Sequence, residues 1–167
     1  ENIISTSSIS STGTFNSFTP LYKMSSSYEM EKSSIQSEIG NFTGDKILVI
    51  GYYNKDNLGD DAYQGVMGQF FPNHDLTFVG SRNLSLIDSS AYNGVVVGGG
   101  DIINDYFNDD IAPFLREFKG PKIAFSIGIP FPSLIIDKYL GHFDHVFTRN
   151  YEDIRCLQEL LGSHRAH

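Results

Sequence analysis

The sequence has little of several things, and each scarcity narrows what the protein can be. A single cysteine, Cys156, excludes an internal disulfide framework and fits a reducing compartment. Lysine and arginine form no cluster and the formal net charge is −8, so contacts with nucleic-acid phosphates are not expected. The apolar runs are too short to span a membrane, and residues 1–20 lack the basic and apolar regions of a signal peptide. We therefore expect a cytoplasmic protein with no membrane span and no nucleic-acid partner.

Residues 1–43 differ in composition from the rest of the chain. They include 12 serines within the first 40 positions and too few apolar residues to form a core. We expect a linker or an extended arm over residues 1–43, which offers a route to self-association or to a larger assembly. Residues 44–167 are predicted to form the folded domain.

From residue 44 onward, apolar runs alternate with segments of helical character. The runs KILVIGYY, DLTFVGS, GVVVGG, PKIAFSIG and DHVFTR predict five strands, at 46–53, 75–81, 94–99, 121–128 and 144–149. Helices are predicted after every strand but the second, at 60–71, 108–118, 132–141 and 150–162. This alternation indicates right-handed crossovers, so we predict a doubly wound α/β fold whose mostly parallel sheet carries helices on both faces.

Three loops leave the carboxyl ends of predicted strands with glycine and small polar residues. They read NKDNLGDDAY after the first strand, GGGDIINDYF after the third and SIGIPFPS after the fourth. Ligands of open α/β sheets bind at this edge, so we expect the three loops to form one crevice. Neither G-x-G-x-x-G nor a P-loop motif occurs, and a dinucleotide cofactor is therefore not expected.

The stretch NLGDDAY has a simple structural interpretation. Asp60 or Asp61 is predicted to cap the following helix, and Gly59 allows the chain to turn sharply before it. One face of the helix is nearly bare and is expected to lie close against the sheet: Ala62, Gly65 and Gly68. This interpretation leaves Asn57 and one of the two carboxylates unexplained.

Two other features of this edge have both a structural and a functional interpretation. Consecutive glycines at the end of the third strand allow a ligand to approach the backbone, or they form a flexible strand exit. Arg149 stands at the end of the fifth strand and suits a carboxylate or phosphate, or it pairs with a nearby acidic residue: Asp144, Glu152 or Asp153. The acidic residues that follow the glycines are interpreted as a solvated loop face and not as a cation site: Asp101, Asp105, Asp109 and Asp110. No spacing of histidine and cysteine predicts a zinc site.

Four segments, in this order, resemble the polysaccharide pyruvyl transferase family. They are IGYYNKDNLGDDAYQGV, VVVGGGDIINDYF, KIAFSIGIPFP and FDHVFTRNYEDIRCLQELLG, within residues 46–162. The resemblance implies transfer of a carboxyethylidene group from phosphoenolpyruvate to two hydroxyls of a sugar, with release of phosphate and without a cofactor. It also implies a two-lobed arrangement like that of GT-B glycosyltransferases. This chain would be the N-terminal Rossmann-like lobe, inactive on its own.

The resemblance also implies which residues line the site. Asp60 is the candidate catalytic carboxylate, acting on a sugar hydroxyl or on the departing phosphate. The candidate substrate-binding residues are Asn57, Gly59, Asp61, Gly98, Gly99, Gly100, Asp101, Ser126, Gly128 and Arg149, with Arg149 holding the phosphoenolpyruvate anion. No metal ligand is implied. The sequence departs from the family pattern at SIGIPFP, where members more often carry a Gly-Gln-Gly type of sequence, and after Arg149, where many carry a serine.

Two other functions stay open. A nucleotide-sugar glycosyltransferase of related shape would use the same crevice and bind its donor in the second lobe. A non-catalytic sugar-binding or structural module would keep the lobe without turnover. The serine-rich arm and the short segment after Gly162 favour this last interpretation, since they suggest a piece of a larger assembly.

Overall fold

The computed structural model describes residues 44–53, 55–128 and 139–161, together with residue 166. The arm predicted over residues 1–43 lies outside these residues, as does most of the helix predicted at 132–141. Both therefore stay predictions. Within the described part of the chain, no helix is both long enough and apolar enough to cross a membrane.

Five strands form a parallel sheet in the order β2-β1-β3-β4-β5. They are β1 (Lys46–Gly51), β2 (Asp75–Gly80), β3 (Gly94–Gly100), β4 (Lys122–Ile127) and β5 (His145–Thr148). The described helices are α1 (Leu58–Phe70), α2 (Asp105–Glu117) and α3 (Tyr151–Leu161). Two 3-10 helices, Ser81–Leu86 and Ser89–Ala91, join β2 to β3. The predicted doubly wound α/β class is confirmed.

The sheet is buried on both faces, which explains why its strands are apolar without interruption. In β1, Leu48 and Ile50 pack in one core with Ile111 and Leu115 of α2. Alternate residues of a strand point to opposite faces, so Ile47 and Val49, also fully buried, lie on the other side. Helix α1 covers that second side. Its hydroxyl-bearing Tyr63 donates a hydrogen bond to the carbonyl oxygen of Phe125 in β4, at 2.9 Å.

The strand order places a switch point between β1 and β3. The chain leaves β1 through α1 toward β2 on one side, and it leaves β3 through α2 toward β4 on the other. The two loops therefore diverge at the carboxyl edge of the sheet and leave a crevice between them, which is where doubly wound sheets bind ligands. Both loops carry candidate site residues.

Helix α1 begins earlier than predicted, and its cap is Asn57. The Asn57 side-chain oxygen accepts a hydrogen bond from the backbone N–H of Gly59 at 3.2 Å. Its Nδ2 donates to Oδ2 of Asp60 at 2.5 Å. The prediction that Asp60 or Asp61 caps the helix is wrong, because both residues already lie in the first helical turn. There they are favoured by the positive end of the helix dipole.

The bare face of α1 is turned to solvent, which corrects a second prediction. Tyr63 and Met67 are buried against the sheet, while Ala62, Gly65 and Gly68 are exposed. A Cβ atom built on Gly65 or Gly68 would meet nothing within 4 Å. Large side chains are needed to fill the space between helix and sheet, so the small residues occupy the opposite face.

The other two helices are also capped by an asparagine, which comes directly before the first helical residue. Helix α2 starts at Asp105, before the predicted start at 108, because Asn104 accepts a hydrogen bond from the backbone N–H of Tyr106 at 2.9 Å. Helix α3 is capped by Asn150. Asn150 Oδ1 accepts from the backbone N–H of Asp153 at 2.8 Å, and Asn150 Nδ2 donates to the Asp153 carboxylate at 2.7 Å.

Candidate functional site

The candidate site lies at the carboxyl edge of the sheet, where residues from four elements meet. Asp60 comes from the first turn of α1, Asp101 follows β3, Gly128 follows β4 and Arg149 follows β5. Backbone hydrogen bonds fix the strand ends: Gly128 N–H donates to the carbonyl of Gly100 at 3.1 Å, and Arg149 N–H donates to that of Ile127 at 3.0 Å. Residues far apart in sequence therefore share one rigid edge.

An ion pair joins Arg149 and Asp101 across the end of β4. The two side chains are 48% and 50% exposed, and they belong to strand ends that are not neighbours in the sheet. The pair passes over Gly128, where an added Cβ would lie 2.7 Å from a terminal nitrogen of Arg149. Glycine at position 128 thus leaves room for the pair.

The Asp60 carboxyl faces this ion pair. A Cβ built on Gly100 would lie 3.2 Å from Asp60 Oδ1, so the glycine keeps the approach to that oxygen open. Partial burial raises the pKa of Asp60 above its ordinary value, and the charges of Asp61 and Asp101 raise it further, while Arg149 acts in the opposite direction. An acid with a raised pKa, set among specific charges in a cleft, is suited to take up and release a proton.

Two buried tyrosines pack against the end of β3, and the sequence analysis did not identify them. Tyr63 packs against the glycine triplet: an added Cβ on Gly98 would lie 2.5 Å from its hydroxyl, and one on Gly99 would lie 3.2 Å from its ring. Tyr53 donates a hydrogen bond to the carbonyl of Gly98 at 3.4 Å. Burial raises the pKa of both Tyr53 and Tyr63, so both hydroxyls stay protonated near neutral pH.

The glycine triplet therefore has two different functions. Gly98 and Gly99 are buried and make room for Tyr63, a packing reason that needs no ligand. Gly100 lies beside Asp60 at the crevice. A tyrosine in each of YYNKD and DDAYQ, next to a strand that ends in glycines, is the signal that sequence reasoning could have used.

Ser126 has an unusual backbone conformation at the end of β4. Its φ is 54°, in the left-handed region that costs a residue with a side chain about 1–2 kcal/mol. The pairing of β4 with β5 shifts register between Phe125 and Ile127, on either side of this residue. Strain of this kind at the edge of a crevice is often found where a backbone group is aimed at a ligand.

The remaining candidates from the first loop serve Asp60 locally. Asn57 and Gly59 are exposed and form the cap, and Asn57 also holds one oxygen of Asp60. Asp61 acts on Asp60 through its charge. The part of the fourth-strand loop beyond Gly128 lies outside the described residues. Among the residues that the structure describes, no three His, Cys, Asp or Glu side chains are grouped as metal ligands.

Comparisons with models of protein families, with curated proteins and with solved structures gave no match for this chain. Function must therefore be inferred from the crevice itself. It offers a carboxyl with a raised pKa and a half-exposed guanidinium, next to glycines whose lack of a side chain leaves room for both. Such a set can bind an anion and exchange a proton with a hydroxyl beside it.

Proposed function

We propose that this chain is the N-terminal lobe of a pyruvyl transferase that modifies a glycan, in a GT-B-like arrangement with a second lobe. The donor is phosphoenolpyruvate. One sugar hydroxyl adds across the C2=C3 bond of the enol, and C3 takes up a proton to become a methyl group. A second hydroxyl then displaces phosphate from C2, and its proton leaves with the phosphate. The observation that carries the proposal is the convergence of Asp60 and Arg149 on a space bordered by Gly100 and Gly128.

Arg149 binds the carboxylate or the phosphate of the donor. A guanidinium presents paired N–H groups that match both anions, and such charge-assisted hydrogen bonds are among the strongest in proteins. Its present partner is Asp101, and both side chains are about half exposed. An exposed ion pair of this kind contributes only about 0–1 kcal/mol, so the donor displaces Asp101 at little cost.

Asp60 takes the proton from the attacking sugar hydroxyl. Asn57 holds Oδ2 by a hydrogen bond, which leaves Oδ1 directed to the side of Gly100. Burial and the neighbouring carboxylates raise the pKa of Asp60, and a more basic carboxylate is a better general base. Asn57 is thus a positioning residue, and Asp60 is the catalytic one.

The test of this proposal measures phosphoenolpyruvate binding to the full chain by ¹⁵N NMR titration. We expect shifts at residues 57–61, 98–101 and 149. Arg149→Ala should abolish them, since the donor anion loses its cation. Arg155→Ala is the matched control, because Arg155 is an exposed arginine on α3 that takes no part in the crevice.

Equal binding by the wild type and by Arg149→Ala would contradict the proposal. Binding of a nucleotide sugar at the same residues, in place of phosphoenolpyruvate, would instead indicate a glycosyltransferase. Asp101→Asn sharpens the test. It removes the competing carboxylate and one negative charge, so it should tighten donor binding by up to about fivefold, the effect of a weak exposed ion pair that contributes about 1 kcal/mol at most.

A further inference from the structure

We propose that a groove between the 3-10 helix Ser81–Leu86 and α2 is a second saccharide subsite, entered past Tyr106. This inference rests on the proposed function, because it assigns the groove to the acceptor glycan. The groove lies beside the edge strand β2, which leads into Ser81–Leu86. It would hold sugar residues next to the one that reacts.

The groove has the size and lining of a ligand site. Its volume is about 340 Å³, at the lower end of the range of about 300–1,000 Å³ found for ligand pockets. Apolar surface comes from Leu84, Ile87, Pro113 and Phe114, and the rest of the lining is polar: Ser81, Arg82, Ser85, Ser89, Asp109, Asp110 and Glu117. The groove therefore combines many hydrogen-bonding groups with some apolar area for a ligand to cover.

The chemistry of the lining favours a neutral, hydroxyl-rich ligand. Asp109 and Asp110 accept hydrogen bonds, Arg82 donates them, and the hydroxyl of Ser85 does both. A sugar hydroxyl is also both donor and acceptor, so it can satisfy every one of these groups. The three carboxylates Asp109, Asp110 and Glu117 outnumber the single guanidinium of Arg82, so the lining disfavours the phosphoenolpyruvate anion. The groove and the crevice therefore suit different substrates.

A series of aromatic contacts runs from the end of β1 to Arg82, which lines the groove. Tyr106 is 60% exposed although it is a large aromatic residue, and Tyr52, just after β1, is 37% exposed. Both pack edge-on against Phe107, with ring centroids 4.8 and 5.7 Å away. Arg82 lies over the Tyr106 ring, 5.3 Å from its centroid, and contacts its hydroxyl.

This arrangement holds the tyrosine rings in fixed orientations with surface left open. The face of an aromatic ring is electron-rich, and it attracts the C–H groups that carry slight positive charge on one side of a pyranose ring. Arg82 belongs both to the ring cluster and to the groove lining. It therefore connects the stacking surface to the hydrogen-bonding one.

The experiment compares two tryptophan substitutions in the full chain, which has no tryptophan of its own. Ser85→Trp places an indole in the groove. Leu86→Trp, the control, places one on a neighbour that is 67% exposed and does not line the groove. The probes are methyl hexopyranosides and glycosides of di- and trisaccharides, titrated by ¹⁵N NMR, and circular dichroism checks the fold.

We expect the longer glycosides to shift amides of residues 81–86 and of α2. Ser85→Trp should weaken this binding by at least about tenfold, since it fills the site, while Leu86→Trp should bind like the wild type. Tyr106→Ala should weaken it by about fivefold through the loss of an aromatic contact, and Tyr106→Phe, which keeps the ring, should not. Equal binding by Ser85→Trp and the wild type would overturn the proposal.

Phosphoenolpyruvate binding separates this inference from the proposed function. Donor binding at Arg149 with no saccharide shift in the groove would overturn the subsite alone. Saccharide binding in the groove without any donor binding would overturn the pyruvyl transferase proposal and leave the subsite standing. If a lysine-rich peptide bound in the groove and none of the glycosides did, the groove would be a site for a cationic partner and the inference would be wrong.

Discussion

Helices α1 and α3 begin with the same local structure but lie in different places in the sheet. Asn57 and Asp60 at one start, and Asn150 and Asp153 at the other, pair side chain to side chain at 2.5 and 2.7 Å. Helix α1 follows β1 at the switch point, whereas α3 follows β5 beyond it. The Asn-x-x-Asp pattern starts a helix in both cases. Only at the switch point does it also place a carboxyl in the crevice.

The largest difference between the two helices should appear in catalysis. Asp60→Asn, in a form of the protein that includes the proposed second lobe, should lower kcat for phosphate release by about 10²-fold or more, the usual loss for a general base. Asp153→Asn should change kcat by less than about twofold, since Asp153 lies in the first turn of α3, where it pairs with Asn150. A phosphate-release assay with phosphoenolpyruvate and an acceptor glycan measures both. Similar losses in the two variants would refute the assignment of Asp60.

Removal of either helix cap should lower the stability of the protein by a similar amount. Only removal of the α1 cap should also weaken sugar binding. Asn57→Ala and Asn150→Ala should each lower the free energy of unfolding by about 1 kcal/mol, because backbone N–H groups lose their acceptor. Urea denaturation measures this. Asn57→Ala should also weaken the sugar shifts near Asp60, since that carboxyl loses its positioning hydrogen bond. A stability loss confined to one variant would show that the caps are not equivalent.

Substitution of the exposed glycines of α1 should increase stability, whereas removal of the caps decreases it. Gly65→Ala and Gly68→Ala should each raise the free energy of unfolding by roughly 0.5–1 kcal/mol, because alanine favours the helix and an added Cβ meets open space. Helix α3 contains no glycine and offers no such gain. Thermal unfolding measures the increase, and a decrease would mean that this face packs on something in solution.

The smallest expected effect is a dependence of stability on pH. The pKa of Asp60 is raised in the folded state, so its contribution to stability is present in acid and is lost as pH rises through the folded pKa. Asp60→Asn should therefore gain stability relative to the wild type as pH rises from about 4 toward neutral. Asp153→Asn serves as the comparison in the same urea series. A gain that ran toward acid pH would contradict the raised pKa.

Local patterns were enough to predict the elements of the fold. The apolar runs from Ile47 to Ile50 and from Val95 to Val97 are buried on both faces, so their lack of alternation was itself the signal of a parallel sheet. The start of α1 was misplaced because three candidate caps, Asn57, Asp60 and Asp61, stand within one turn. Residue type does not decide among them, since all accept backbone hydrogen bonds.

The residues of the candidate site could be predicted from the sequence, but the ion pair between two of them could not. Arg149 and the loop residues could be placed at the carboxyl edge by the strand pattern alone. The partner of Arg149 proved to be Asp101, 48 positions away, because the strand order brings β3 and β5 to either side of β4. No sequence pattern predicts the left-handed backbone conformation of Ser126 either. Both depend on tertiary contacts that a single sequence does not record.

The exposed glycines of α1 have a consequence for motion at the crevice. Glycine is a poor helix former, so α1 depends for its order on the packing of Tyr63 and Met67. Segments held by few buried side chains open locally at a lower free energy than the sheet beneath them, and their amide hydrogens exchange sooner. Asp60 therefore lies on a part of the edge that opens more readily than the sheet. A ligand that bridges Asp60 and Arg149 would slow amide exchange along the whole of α1.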